Sequence, residues 1–256
     1  MRIGKKIYGV LVSLIILVLA FVSIGFVNKD NVGYRVDDIA VNIENRSENF
    51  FVDEADVMAL IMENEGDSIL GDHFGAVNLK EIEERIESHS FVKKAEVFRD
   101  LKGHLVVAAT QSKPVARIVA KNGKHAYISE EGLLLPVSSN YTARVIVLTG
   151  DYMSQLSKVE SVLEDEYHAQ LFELIKLVNQ DSFWNMQIAE INVDRKGKIV
   201  MMPQVGNQRL EFGKAEDIED KFKRLKIFFK EIMPTKGWNI YERVNVEFKD
   251  QIICDK

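Results

Sequence analysis

An uninterrupted apolar run near the N-terminus constrains this chain more than any other feature. Residues 7–27 carry no formal charge, and Leu, Ile and Val dominate them. A helix that rises about 1.5 Å per residue over this length crosses a hydrocarbon core of roughly 30 Å. Three basic residues precede the run, and this bias favours a cytoplasmic N-terminus. The sequence therefore predicts a cytoplasmic tail at 1–6, a transmembrane helix at 7–27 and an exported remainder at 28–256.

A cleaved signal peptide is the alternative interpretation of the same run. Signal peptides have apolar regions of about 7–15 residues and end in a small-x-small cleavage site. Ser23-Ile24-Gly25 offers such a site, but the run is longer than a signal requires and has no Ala-x-Ala. We therefore expect the helix to be retained as an anchor.

The exported remainder is acidic and has one cysteine. Three of the 33 basic residues lie in the tail, so 30 remain against 39 acidic residues and the formal charge of residues 28–256 is −9. Bulk charge therefore gives no attraction to nucleic acid or to anionic lipid. Cys254 lies in a predicted C-terminal tail at 254–256, and a single cysteine excludes an intrachain disulfide.

The pattern of strands and helices divides the exported part into two regions. The first follows the order strand, helix, helix, strand, strand over 37–112, after a linker at 28–36, and forms a complete small α+β unit. Its first helix begins with an acidic turn at Asp53, and its second begins at Asn78, with Glu81 three residues later as in a capping box. The predicted fold class is α+β.

The second region, 113–253, consists mainly of short predicted strands. Apolar residues at helical spacing predict one helix around 171–178 and another over 215–232, which Pro234 should end. The polar stretch at 154–166 has no assigned state. We therefore expect a mainly antiparallel β domain with flanking helices.

No residue spacing in the sequence indicates a catalytic or metal site. The five histidines do not show the spacing that places metal ligands on one element. Asp72-His73 is the best candidate ligand pair, although a solvated loop histidine is the simpler interpretation. Acidic clusters at 63–67 and 81–87 fall in a loop or on a polar helix face. The sequence thus predicts no catalytic residue, no metal site, no cofactor and no enzymatic activity.

Several segments carry motifs in a characteristic order. Residues 91–99 and 105–111, followed by Lys113-Pro114-Val115-Ala116, look like the second half of a POTRA domain and a Pro-x-Ala junction. Residues 127–132, with Leu135-Pro136 and then 145–150, look like a "D-x-x-G … P-V-L-x-G" segment. In this order the motifs resemble the FtsQ/DivIB family of bacterial cell-division proteins.

The resemblance implies a POTRA domain at 37–112 and a β domain at 113–253. It also implies a non-enzymatic scaffold of the divisome that links early and late division proteins. Such a protein is a single-pass protein of the inner membrane, with its C-terminal domains in the periplasm at the division septum. The implied partners are FtsB-like and FtsL-like proteins, with other divisome components at the POTRA-like domain.

Two positions depart from the family pattern. The terminal strand of the family often reads Asp-Leu-Arg-aromatic, and residues Asn245 to Phe248 occupy these positions here. Glu247 therefore replaces the arginine of the pattern and reverses its charge. A proline is common in the turn before the third POTRA strand, and here the turn contains Leu101 and Lys102 instead.

The last predicted strand is the candidate partner-binding site. Val244, Val246 and Phe248 should face inward, because they alternate with polar residues. A strand at the end of a β domain is a candidate edge, whose unpaired N–H and C=O groups can bind an extended segment; a terminal strand paired on both sides is the alternative. The family resemblance favours binding. The predicted partner-binding residues are Arg243, Val244, Asn245, Val246, Glu247, Phe248, Lys249 and Ile252.

Two other classes of function are alternatives to the scaffold. A POTRA-bearing envelope assembly or secretion factor would carry many more amphipathic strands after the POTRA unit than residues 113–256 provide. An anchored envelope enzyme would need a convergent nucleophile, acid or metal site, which the motifs do not indicate.

Overall fold

The computed structural model describes residues 14–19, 34–45, 49–62, 68–238 and 240–256. Most of the predicted transmembrane helix at 7–27, the tail at 1–6 and the cleavage-site tripeptide lie outside these ranges. Residues 14–19 are helical with exposed side chains. In the described ranges, no helix combines the length and apolar character needed to cross a membrane.

The chain separates into two compact units at Gln111–Ser112. In the first unit, β1 pairs in parallel with β3, and β2 pairs antiparallel with the other side of β3. The predicted order of strands and helices is therefore confirmed, and the class is α+β. The elements are β1 (Ile39–Glu44), α1 (Glu54–Ile61), α2 (Leu79–Glu87), β2 (Val92–Arg99) and β3 (Leu105–Gln111).

The helices of the first unit begin where the sequence predicted, and Asp53, predicted only as part of an acidic first turn, also serves as a cap. The side chain of Asp53 accepts a hydrogen bond from the N–H of Asp56 at 2.9 Å, and that of Asp56 accepts from the N–H of Asp53 at 3.0 Å. Asn78 accepts from the N–H of Glu81 at 3.3 Å. These bonds satisfy N–H groups that have no partner inside the helix, so each helix begins where its sequence indicates.

Gln111, at the end of β3, joins the sheet to the segment before α1. Its side chain is buried; Oε1 accepts from the N–H groups of Phe51 and Val52 at 3.2 and 3.1 Å, and Nε2 donates to the carbonyl of Asn49 at 3.1 Å. A buried backbone group that loses its hydrogen-bond partner costs its full desolvation energy. Gln111 therefore fixes this segment against the sheet.

We expect Gln111→Leu to destabilise the first unit by about 3 kcal/mol, because it removes three hydrogen bonds to buried backbone groups. The neighbouring Thr110→Val is the control: it removes only a bond from the Thr110 hydroxyl to exposed Glu44, worth about 0.5–1 kcal/mol. Urea unfolding followed by circular dichroism measures both changes. Equal stability of the two variants would contradict this role for Gln111.

The second unit contains one nine-stranded sheet in the order β12-β11-β10-β9-β8-β7-β4-β5-β6. A core of buried apolar side chains lies between this sheet and its helices. The strands are β4 (Pro114–Ile118), β5 (Ala126–Ser129), β6 (Leu134–Pro136), β7 (Ile146–Thr149), β8 (Ile188–Val193), β9 (Ile199–Pro203), β10 (Arg209–Gly213), β11 (Arg243–Asn245) and β12 (Ile253–Asp255). The helices are α3 (Met153–Leu156), α4 (Glu166–Gln180), α5 (Ser182–Gln187), α6 (Ile218–Ile227) and α7 (Met233–Lys236).

The sheet is mixed: five of its described strand pairings are antiparallel, in agreement with the predicted mainly antiparallel domain, and three are parallel. Strands β4, β7 and β8 at its centre are parallel, and so are β10 and β11. Parallel neighbours need a crossover connection, which α3 to α5 provide between β7 and β8. The unassigned stretch 154–166 ends α3 and then leads to Asp165, whose side chain caps α4.

The helix predicted to end at Pro234 continues beyond it. A π-helical turn at Phe228–Ile232 follows α6 and leads into α7, where Pro234 occupies the first turn. The missing N–H of a proline is tolerated at that position. Gly237, with φ of +108°, ends the helix instead.

Candidate partner-binding site

Strand β11 is not an edge of the sheet: of the two alternatives that the sequence left open, the structure shows a strand paired on both sides. It pairs in parallel with β10 and antiparallel with β12, because a turn with Asp250 at φ of +57° returns the chain alongside it. Val244 and Val246 are fully buried, as predicted. Phe248 is 49% exposed, because the strand ends at Asn245 and the chain turns before Phe248 can pack inward.

Arg243 connects three strands through its guanidinium group. It donates from Nε to Asp255 of β12 at 2.7 Å, and its Nη1 lies 3.4 Å from Glu211 of β10. The hydrogen bond to Asp255 and the charge of Glu211 raise the pKa of Arg243. The predicted partner-binding residue Arg243 is therefore engaged with carboxylates on both neighbouring strands.

Asn245 and Val246 hold the end of β11 in place. The Asn245 amide donates to Glu211 at 2.8 Å and accepts from the N–H of Glu247 at 2.8 Å. The backbone of Val246 donates to the carbonyl of Glu211 at 3.0 Å and accepts from Arg224 of α6 at 2.9 Å. These two residues support the site from within and offer little surface to a partner.

Glu247 pairs with Lys198, whose Nζ lies 2.9 and 3.2 Å from its two carboxylate oxygens. This contact raises the pKa of Lys198. In this chain, the carboxylate at position 247, where the family often has an arginine, is therefore paired with the ammonium group of Lys198. Lys249 is exposed in the turn, and Ile252 packs partly against the core.

The two edge strands of the large sheet, β6 and β12, differ in whether another segment of the chain pairs with their outer side. At β6, the N–H of Leu134 donates to the carbonyl of Glu160 at 2.9 Å, and Leu133 bridges to Ser161. At β12, by contrast, no further strand of the described chain pairs with the outer side. An uncovered edge presents N–H and C=O groups to an extended segment, so β12 is the open edge of this unit.

The sheet of the first unit also has one closed edge. The Glu83 carboxylate accepts from the N–H of Val97 at 2.8 Å, and that of Glu87 accepts from the N–H of Ala95 at 3.0 Å. These carboxylates of α2 occupy the outer side of β2, and charged groups that cover a strand in this way prevent further pairing.

Within the described ranges, no three His, Cys, Asp or Glu residues cluster as metal ligands. The candidate ligand His73 is exposed and forms an isolated strand bridge with Arg35. Cys254 lies half-buried in β12, and burial raises the pKa of its thiol. A raised pKa lowers the thiolate fraction, which is the opposite of what a nucleophilic cysteine requires.

The sequence interpretation missed the three residues of β12, Ile253, Cys254 and Asp255. A strand of this length is too short for its alternation to be recognised. The available signal was the pair of isoleucines directly after the polar Lys249-Asp250-Gln251 turn.

The architecture defines a class of protein, a POTRA-like domain followed by a β domain with a large sheet. Residues 35–110 match the POTRA-like domain, and residues 113–255 match the family described as "FtsQ/DivIB, C-terminal related". The second match covers more than half of the 256 residues, so the chain belongs to the FtsQ/DivIB family. A comparison with curated proteins gives no match.

Family membership indicates a role in cell division at the cell envelope. The FtsQ/DivIB family is a non-enzymatic division family whose members take part in protein–protein interactions.

Proposed function

We propose that this chain is a membrane-anchored, non-enzymatic scaffold of the bacterial divisome that binds FtsB-like and FtsL-like proteins and links early to late division proteins. Family membership supports the division role. The observation that carries the binding role is the open β12 edge, which stands in contrast to the covered edge at β6.

The proposed scaffold has a single orientation in the inner membrane. The uncharged run at 7–27 serves as a single uncleaved anchor, the tail at 1–6 stays in the cytoplasm, and residues 28–256 lie in the periplasm at the septum. A tether of this kind raises the effective concentration of the scaffold beside other membrane-bound division proteins.

At the site itself, an extended partner segment pairs with the outer side of β12. Backbone hydrogen bonds supply the affinity, and side chains at the rim supply the selectivity. Arg243 and Glu247 hold the supporting strand through their ion pairs. The exposed Phe248 and Lys249 lie in the turn at one end of β12, where they can contact side chains of the partner.

Photo-crosslinking tests this proposal. A photoreactive residue replaces Ile253 on the open edge or, as the control, the exposed Leu133 beside the covered edge. In cells that express FtsB-like and FtsL-like partners, we expect a crosslink from position 253 at least about tenfold stronger than from position 133, because only the open edge can pair with a partner strand.

Equal crosslinking from the two positions, or crosslinking from position 133 alone, would reject β12 as the docking edge. Both chains must first be recovered in the membrane fraction and melt at the same temperature as the parent protein. Absence from the membrane fraction would reject the anchor.

A further inference from the structure

One end of the first unit is built from three separate segments, 34–37, 70–74 and 99–104, which we term the proximal end. The first two run side by side, since the N–H of Val36 donates to the carbonyl of Asp72 at 2.9 Å. The third is the turn between β2 and β3. The proximal end therefore includes Tyr34, the first described residue of the strand-and-helix fold of this unit.

The β2–β3 turn is fixed against the first segment. Gly103 lies beside this segment: a Cβ built on Gly103 would be in ordinary van der Waals contact with it, 3.6 Å from Oδ2 of Asp37 and 3.9 Å from the carbonyl oxygen of Arg35. The Arg99 guanidinium lies over the ring of Tyr34, 4.3 Å from its centroid. These contacts hold the tip of the turn beside Tyr34.

The proximal end exposes apolar side chains. Leu101 is fully exposed at the tip of the turn, and Tyr34 and Leu70 are each about half exposed. One exposed apolar residue needs no explanation, but several at the same end of a small unit indicate a contact surface. Its charges balance, with Arg35, Arg99 and Lys102 against Asp37, Asp72 and Asp100.

The length of the preceding chain places this end near the membrane. Tyr34 lies seven positions after Val27, the end of the proposed anchor. A fully extended chain covers at most about 3.5 Å per residue, so Tyr34 stays within roughly 25 Å of the membrane. The opposite end of β3 lies about 20 Å further along the strand. The proximal end is therefore the end of this unit that the connecting segment keeps nearer to the membrane.

We propose that the proximal end contacts the lipid surface, with Leu101 inserted between lipid headgroups and Tyr34 at the interface. This inference rests on the membrane anchor of the proposed function. The contact is apolar, because the charges of this end balance and offer no net attraction to anionic lipids. Tyrosine and leucine are suited to this depth, where an apolar body enters the bilayer boundary.

Depth-dependent quenching tests the contact in the full-length chain. Cys254→Ser removes the only native thiol, and Leu101→Cys then carries an environment-sensitive fluorophore in phosphatidylcholine vesicles that contain brominated lipid. The control is Ser90→Cys, a near-isosteric change at an exposed position two residues before the start of β2, at the other end of the sheet. We expect quenching at position 101 to exceed that at position 90 by at least about twofold.

Equal quenching at the two positions, with water-like emission from both, overturns the lipid contact. Alkaline extraction separates this result from failure of the anchor. If the chain stays in the vesicles and the probe at position 101 remains in water, the lipid contact is rejected and the anchor is retained. If the chain is extracted, both the anchor and the lipid contact are rejected.

Discussion

Gly150→Ala is expected to destabilise the second unit by at least about 3 kcal/mol. Gly150 directly follows β7 and has φ of +101°, and a Cβ at this position would lie 2.1 Å from the carbonyl oxygen of Val193 and 2.8 Å from its nitrogen. Both atoms belong to the backbone of β8, so no side-chain rotation relieves the clash. The two parallel strands would have to separate at the centre of the sheet, with loss of packing between them.

Gly237→Ala is the matched control for this prediction. Gly237 has a similar φ of +108°, but among the described residues its added Cβ would come nearest to the side chain of Ile240, at an ordinary contact distance of 3.6 Å. The control therefore measures backbone strain alone, about 1 kcal/mol. Both tryptophans, Trp184 and Trp238, belong to the second unit, so denaturant unfolding followed by tryptophan emission reports on this unit. If the two variants lose the same stability, the close approach at Gly150 has no energetic consequence.

Local signals predicted the first unit well. The alternation at β1 appears in the structure as half-buried Ile39, Val41 and Ile43 beside exposed neighbours. The caps at Asp53 and Asn78 work because they need only atoms within three residues of each other. Such short-range hydrogen bonding can be recognised in a sequence without knowledge of the fold.

One feature that was missed depends on contacts between distant residues. The parallel pairing of β10 with β11 joins positions more than thirty residues apart, such as Leu210 with Val244, and no local pattern distinguishes it from antiparallel pairing. In this pairing tertiary packing overrides the local preference. The continuation of the helix past Pro234 is local instead: a π-helical turn directly precedes α7, and Pro234 lies in the first turn of α7, where its missing N–H is tolerated.

At the candidate site, too, the sequence predicted the local features and missed those that depend on more distant parts of the chain. Burial of Val244 and Val246 followed from alternation along the strand. The identity of the edge did not, because it depends on the turn at Asp250 and on whether a strand as short as β12 forms. The docking edge proposed here is therefore β12, one strand beyond the predicted strand, and most of the predicted residues lie in or beside the strand that pairs with it.

Proline substitutions in β12 are expected to separate partner binding from folding. Successive N–H groups of a strand point to opposite sides, so of Ile253 and Cys254 one N–H faces β11 and the other faces outward. Proline at the outward position keeps the pairing with β11, which an edge strand tolerates, but removes a donor and places its ring in the path of a partner strand. That variant should melt normally and lose partner affinity by about tenfold or more, since the loss of one hydrogen bond and a steric clash exceed about 1.4 kcal/mol.

Proline at the inward position should instead lower the melting temperature of the second unit, because it breaks the pairing of β12 with β11. Ile253→Ala and Cys254→Ala serve as side-chain controls that keep both N–H groups. If backbone pairing supplies the affinity, each alanine variant should bind an FtsB-like and FtsL-like peptide pair within about threefold of the parent chain. Binding is measured by titration of the full-length chain with the labelled pair. Parent-like affinity in both proline variants would show that the partner docks elsewhere, and a larger loss with alanine than with the outward proline would show that side chains supply the affinity.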